Sequence, residues 1–305
     1  MKIVVTGGAG FIGSSFTNLC LDKGDEVTVI DKITYAGSLN NLNLDNPNIK
    51  LILEDINKVT KEDIGEYDYL VNFAAESHVD NSIQNGKPFV RTNVEGTYNL
   101  LEIARQNSKL KKFIQISTDE VYGDMLDYGK EIEATPEYNL FASSYYSATK
   151  ASADLLVQAA SRTYGIPYLI TRTCNNYGEN QHKEKLIPTI IDKVLDNKSI
   201  PIYGDGKNIR EWIYVEDNCK VLYDLMLSEH EGIKHIGTGE RYTNLEIIGL
   251  IEEILGKTVD FDFVEDRKGH DRIYALNSKL TPNIVITSTL KSFLTKILLK
   301  NERND

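Results

Sequence analysis

Hydrophobic and polar positions fall into alternating blocks over the first 175 residues: short, nearly continuous apolar runs, then stretches with apolar residues every third or fourth position. The runs Lys2–Thr6, Glu26–Ile30, Lys50–Leu53, Tyr69–Phe73, Phe113–Ser117 and Tyr168–Thr173 predict strands. Between them, Ile12, Phe16 and Leu19 keep helical spacing, as do Val90, Val94, Tyr98 and Leu101. Strands without polar alternation are covered on both faces, so the pattern predicts an α/β chain: a doubly wound parallel sheet between helices, with right-handed crossovers. A ligand is then expected at the carboxyl ends of the strands.

The alternation lapses after residue 174. Lys185–Leu195 and Thr243–Leu255 predict helices, and Gly204-Asp205-Gly206 and Gly237-Thr238-Gly239 predict turns. A smaller, mixed α/β second lobe is expected here, with the segment around Trp212–Leu227 returning to the first. The expected division is 1–174 plus about 210–237 for the large lobe, and about 175–209 plus 238–305 for the small one.

Charge narrows the partners. A net charge of −11 repels polyanions, so neither nucleic acid nor an acidic membrane surface is expected. Three widely spaced cysteines (Cys20, Cys174, Cys219) suit no disulfide framework, and five scattered histidines give no metal motif, so no metal is expected. Met1 leads straight into a strand and no apolar run is long enough to span a bilayer, which predicts a cytoplasmic chain without a secretory leader.

Thr6-Gly7-Gly8-Ala9-Gly10-Phe11-Ile12-Gly13 joins the first strand to the first helix. Glycines at that spacing allow a tight turn, let backbone approach a pyrophosphate and leave helix N–H groups facing phosphate charge. Asp31 closes the second strand 18 residues after Gly13. A carboxylate there accepts from a ribose 2′-hydroxyl and repels a 2′-phosphate. The context favours a Rossmann-type NAD site over a merely tight strand–helix turn.

Tyr146 and Lys150 stand at i and i+4 of a predicted helix, on one face. An ammonium near a phenol favours the phenolate, which can take a proton from a sugar hydroxyl. Taken alone, such a pair is more often ordinary surface. The fifth strand, however, ends in Thr118, Asp119 and Glu120: a hydroxyl to hold a substrate oxygen, and two carboxyls able to divide acid and base duty. Taken alone, those acids read as a helix cap and first turn. Joined to the glycine turn and the Tyr–Lys pair, they read as catalytic.

TGGAGFIG, DKITYAG (31–37), NFAAESHVD (72–80), STDEVYG (117–123), YSATK (146–150), NNYGENQHKEKLIP (175–188), YGDGKNIREWIYVED (203–217) and DRKGHDRIYA (266–275) together resemble the extended short-chain dehydrogenase/reductase family. Within that family the resemblance is to the dTDP-glucose 4,6-dehydratases, from residue 1 to about 280.

It implies a three-step reaction without net redox change. Tyr146, with Thr118 and Lys150, would deprotonate the C4 hydroxyl as NAD takes the C4 hydride. Glu120 would remove the C5 proton while Asp119 protonates the departing C6 hydroxyl, and the hydride would return to C6. For the cofactor it implies Gly7, Gly10, Phe11, Ile12, Gly13, Asp31, Lys32, Thr34, Asp55, Ile56, Ala74, Ala75, Ser77 and Asn93, with Tyr146 and Lys150 also touching it. For a nucleotide-diphosphate sugar it implies Ser77, Thr118, Asn175, Lys185, Leu186, Tyr203, Arg210, Asn244, Arg267 and His270. It also implies a homodimer formed through helices near Phe89–Arg105 and Ser147–Arg162.

Other readings stay open. The same scaffold serves UDP-sugar 4,6-dehydratases, nucleotide-sugar 4-epimerases and decarboxylases, and a non-catalytic NAD-binding regulator is a different class again. Tyr145 stands where the family carries proline, and the Leu-Gly-Trp turn usual after Ser278-Lys279-Leu280 is absent. Thr289–Lys300 still predicts an amphipathic helix through Leu290, Phe293, Leu294, Ile297 and Leu298.

Overall fold

The computed structural model describes residues 1–128, 133–279, 281 and 285–301. Leu280, where the tail departs from the resemblance, lies outside them, as do 282–284.

The first half builds β1 (Lys2–Thr6), α1 (Phe11–Asp22), β2 (Glu26–Asp31), β3 (Ile49–Leu53), α2 (Lys61–Ile64), β4 (Tyr69–Asn72), α3 (Val79–Gln84), α4 (Lys87–Phe89), α5 (Thr97–Arg105), β5 (Lys112–Thr118), α6 (Tyr145–Tyr164) and β6 (Tyr168–Thr173). All six strands forecast from the apolar runs form, within a residue at each end. β5 is buried throughout, as a strand covered on both faces must be. The central sheet has seven strands, all parallel. In spatial order they run β3, β2, β1, β4, β5, β6 and a late arrival, β10 (Gly232–Ile236). Order reverses between β1 and β4, the crevice where doubly wound sheets bind ligands.

The rest of the chain adds β7 (Asn175–Tyr177), α7 (Leu186–Leu195), β8 (Ile200–Tyr203), β9 (Ile209–Tyr214), α8 (Val215–Leu227), β11 (Arg241–Thr243), α9 (Asn244–Leu255), β12 (Phe261–Val264) and α10 (Leu290–Asn301). β11, β9 and β7 make one small sheet, and β12 pairs with β8 in another. α8 does return to the large sheet: Cys219 Sγ approaches the Ile12 carbonyl of α1 at 3.7 Å, and Tyr223 on α8 packs against Phe16. The tail helix forms as its pattern predicts, burying Leu290, Phe293, Leu294 and Leu298, with Phe293 against Tyr177 and Tyr214. Its entry is pinned by Asp217, whose buried carboxylate accepts from the Thr287 hydroxyl and from the Thr287 and Ser288 amides.

One stretch departs from the reading. Between α4 and α5, Val90–Gly96 winds as a π-helix, and Val90 and Tyr98 of the apolar stripe are exposed, not core. The wide turn rotates Thr92, Asn93 and Gly96 inward in their place. Gly96 lets the turn lie close to Ile56: a Cβ would come within 2.4 Å of Ile56 Cδ1, and that side chain would have to shift.

Candidate active site

The glycine turn is shaped for close approach. Gly7 has φ +66°, and a Cβ on it would lie 2.6 Å from the Ala74 nitrogen at the end of β4. A Cβ on Gly13 would lie 2.2 Å from the Gly7 carbonyl oxygen. The backbone at the switch point is therefore as tight as a phosphate cradle demands, and α1 starts at once behind it. Asp31 is oriented by the chain: its two oxygens accept from the Ala9 amide at 3.0 Å and the Ile33 amide at 2.8 Å. Each oxygen keeps a second lone pair for a ribose hydroxyl. Lys32 leans toward Asp55 (3.6 Å) and Glu76 (3.9 Å). These features fit NAD.

A continuous cleft along the strand ends brings most of the predicted residues together. Gly7, Gly10, Phe11, Ile12, Gly13, Asp31, Lys32, Thr34, Asp55, Ile56, Ala74, Ala75 and Ser77 line one end. Thr118, Asp119, Glu120, Tyr146, Lys150, Asn175 and Lys185 line the other. Asn93 is not on the wall. It is buried behind it, where Oδ1 accepts from the Glu76 amide at 2.9 Å and Nδ2 donates to the Glu76 carbonyl (3.1 Å) and Thr149 Oγ1 (3.0 Å). Its place in the fold is to clamp the loop after β4 to α6.

The remaining predicted residues lie beyond the cleft wall. Leu186 and Asn244 open α7 and α9. Tyr203 ends β8, edge-on to His270 at 6.3 Å, and His270 Nδ1 meets Asp266 at 2.6 Å. Arg210 is buried and stacks 4.0 Å from the Tyr274 ring while donating to the Asp271 and Ile209 carbonyls. Arg267 reaches Asp80 at 3.8 Å and keeps a buried Nε without a protein partner. Both arginines draw Glu120 toward its charged form.

β5 ends in Thr118, which caps a single 3₁₀ turn, Asp119–Tyr122, by accepting from the Glu120 amide at 3.3 Å. The cap is therefore made by Thr118, and the two acids open the turn on the wall of the cleft. Burial, reinforced by Glu120, pushes the Asp119 carboxyl up to about 8. Burial also raises Glu120, against the pull of Arg267, Arg210 and Lys185. Of the two acids, Glu120 is the one offset by several cations.

The Tyr–Lys pair differs from expectation. Lys150 Nζ donates to the Ile116 carbonyl at 2.5 Å and does not pair with the phenol. Burial and the Glu120 charge hold Tyr146 well above the usual phenol range, with the Thr118 hydroxyl working the other way. Desolvation and the nearby carboxylates thus work against the expected phenolate. Lys150 itself is brought down to about 8 by burial, opposed by Asp154. Lys185 Nζ donates to the Ser77 carbonyl at 3.1 Å, tying the residue before α7 to the loop after β4. Cys174 is buried in the wall with its thiol raised by desolvation, a packing residue.

The sequence reading missed Asp154, Tyr122, Arg172 and His235, which form a buried polar chain directly behind this wall. The signal was present: Asp154 follows Lys150 by one helical turn, on the same face.

Comparison with known proteins agrees with the geometry. The profile of the NAD dependent epimerase/dehydratase family matches residues 3–239. The low-salt glycan biosynthesis protein Agl12 of Haloferax volcanii is 49% identical over 92% of this chain and 91% of its own. A dTDP-glucose 4,6-dehydratase of Streptomyces antibioticus is 43% identical over 91% of this chain and 84% of its own. In structure, the dTDP-glucose 4,6-dehydratase DesIV of Streptomyces venezuelae, solved with NAD and TYD bound, superposes with a TM-score of 0.92 at 37% identity. That superposition covers 100% of this chain and 98% of the other. With a glycine turn and a carboxylate at the end of β2 shaped to receive a dinucleotide, the chain belongs to the NAD dependent epimerase/dehydratase family and is an enzyme that works with NAD.

Proposed function

We propose that this enzyme is a dTDP-glucose 4,6-dehydratase, converting dTDP-glucose to dTDP-4-keto-6-deoxyglucose for deoxysugar and glycan assembly. The observation that carries the reading is Asp119, a buried carboxyl next to Glu120 on the wall of the cleft that Tyr146 also lines, raised to about 8 by burial and by that neighbour. An epimerase needs one proton-transferring group at C4; a second acid–base pair has work only where water is eliminated. The relatives named above support both the chemistry and a glycan destination.

When bound, NAD supplies a reversible acceptor for the hydrogen carried on the sugar's C4. The glycine turn would hold its diphosphate and Asp31 its adenosine ribose. Thr118 orients the C4 oxygen, and Tyr146 moves the hydroxyl proton, with the Lys150 charge offsetting the cost of a buried phenolate. Once C4 is a ketone, the C5 proton is acidic. Glu120 takes it, and Asp119 gives its own proton to the C6 hydroxyl, which leaves as water. Lys185, Arg210 and Arg267 provide cations for the substrate diphosphate.

The same reading includes a large NAD-binding lobe (1–174 plus about 210–237), a small sugar-nucleotide lobe and residence in the cytoplasm, where NAD and nucleotide sugars meet. No helix among the described residues is long and apolar enough to cross a membrane. It also includes a homodimer, supported by the apolar Val90 and Tyr98 on one helix and Leu155 on α6, all exposed.

Incubation with dTDP-glucose deuterated at C4 tests the chemistry. The expected product carries that deuterium at C6 and one solvent proton at C5. A galactose isomer without solvent exchange at C5 would make the enzyme an epimerase. Turnover of UDP-glucose or UDP-N-acetylglucosamine in preference to dTDP-glucose would make it a dehydratase of UDP sugars. Absence of turnover with all three would leave an NAD-binding regulator.

A further inference from the structure

Behind Tyr146 and Lys150, the same face of α6 carries Asp154, fully buried. Its Oδ2 accepts from Arg172 Nε on β6 at 3.0 Å and from the Ser117 hydroxyl on β5 at 3.0 Å. Oδ1 is buried without a protein partner. Arg172 NH1 donates to the Tyr122 hydroxyl at 2.6 Å, and its guanidinium lies 4.8 Å from the centre of that ring. Tyr122 in turn meets His235 Nε2 at 2.6 Å.

The far end fixes every proton in this chain. His235 Nδ1 lies 3.0 Å from the Asn277 carbonyl oxygen, which can only accept, so Nδ1 carries the hydrogen. Burial pushes the ring down to about 4, so it is neutral and Nε2 accepts from Tyr122. Tyr122 is then the acceptor of Arg172. Asp154, Arg172, Tyr122 and His235 are each no more than 1% exposed.

Four buried polar groups with one settled proton order are more than core packing requires, since an apolar core of the same volume is as stable or more so. Two features tie them to the reaction. Lys150 is the neighbouring cation on the Asp154 face, and Asp154 is the carboxylate that favours its charged form. Tyr122 is the last residue of the turn that begins with Asp119 and Glu120.

We infer that Asp154 is a positioning residue for the reaction: its carboxylate is the counter-charge that keeps Lys150 an ammonium, while Arg172, Tyr122 and His235 anchor that carboxylate and the Asp119–Tyr122 turn as one unit. Burial raises the Asp154 carboxyl, but a guanidinium at 3.0 Å that does not release its proton holds it ionised. The charged groups packed around this face are Asp119 and Glu120 from the turn, Arg172 from β6 and Asp154 itself. Asp119, Glu120 and Asp154 all bear on Tyr146, and of the three Asp154 is the one that also bears on Lys150.

The test is a pH titration of the Lys150 side chain by NMR in the NAD-bound enzyme carrying ¹³C-lysine, with the signal assigned by its loss in Lys150→Arg. Asp154→Asn is expected to lower the Lys150 midpoint by about half a unit or more, the direction that loss of a nearby opposite charge dictates. Because Asp154→Asn strands a buried guanidinium, Asp154→Asn/Arg172→Gln is measured beside it; removing both charges keeps the core neutral, and a smaller downward shift is expected. Tyr122→Phe leaves Asp154 in place and is expected to leave the midpoint where it is. An unmoved midpoint in the folded Asn variants, single or double, overturns the inference. The alkaline limb of kcat on dTDP-glucose should move with the midpoint. The inference rests on the dehydratase reading only for that second readout. Failure of the wild type to turn over dTDP-glucose would sink the reading, while the titration still decides the role of Asp154.

Discussion

Thr118 Oγ1 donates to Asp119 Oδ1 at 3.1 Å, while Oδ2 of the same carboxyl is buried with no protein partner. Burial and the neighbouring Glu120 charge both favour the acid form, raising the carboxyl to about 8.

Asp119→Asn is therefore expected to lower dehydration by about 10²-fold or more, the usual scale for losing a general acid, while NAD stays bound. The wild-type rate should fall as pH rises through about 8, where Asp119 loses its proton. Stability follows the same sign. A carboxyl raised in the fold and ordinary when unfolded favours the fold below about pH 4 and loses that advantage as pH climbs toward 8. Asn carries no such penalty, so thermal unfolding at pH 8 should occur at a higher temperature in Asp119→Asn than in the wild type.

Tyr146→Phe removes the group that moves the first proton. Substrate addition should then produce no reduced-nicotinamide absorbance, whereas Glu120→Gln should still show it, because Glu120 acts after the C4 oxidation. Equal transient signals in the two variants would reassign the order of events.

Gly13→Ala places a Cβ 2.2 Å from the Gly7 carbonyl oxygen, with backbone on both sides and no flexible chain end to give way. The turn must open, so the purified variant should come without NAD and regain little when NAD is added, as read by the nucleotide content of the protein.

Tyr98 and Leu155 are 57% and 56% exposed, on the helices through which we propose the homodimer forms. Tyr98→Glu with Leu155→Lys should convert the assembly to monomers in sedimentation velocity without disturbing the sheet. A wild type that sediments as a monomer would remove the interface itself.

What could be read from sequence was local. The glycine turn, the strand before it and Asp31 sit close together in the chain and answer to backbone rules alone. The tail helix was legible through Leu290, Phe293, Leu294 and Leu298, all buried. Two short strands were not: Asn175–Tyr177 and Arg241–Thr243 have three residues each and owe their extension to β9 between them. The π-helical turn hid the burial of Asn93 because apolar spacing assumes an unbroken α-helix. The exchange between burial and charge at Tyr146 could not be foreseen, since the phenol's environment is assembled from β5, α6 and the Asp119–Tyr122 turn at once. Arg172 and His235 meet Tyr122 only across a folded sheet, so no spacing rule announces them.

The seventh strand has a bearing on how the molecule is made. β10 is five residues long and docks on β6 only after the polypeptide has passed through β7, β8 and β9. A nascent chain that has emerged only as far as Thr173 can display β6 as a bare parallel edge, the sort of surface on which unfinished proteins stick together. Ile236 has to emerge from the ribosome before that edge is sealed, so a pause ahead of this point leaves the edge open to aggregation and to capture by chaperones.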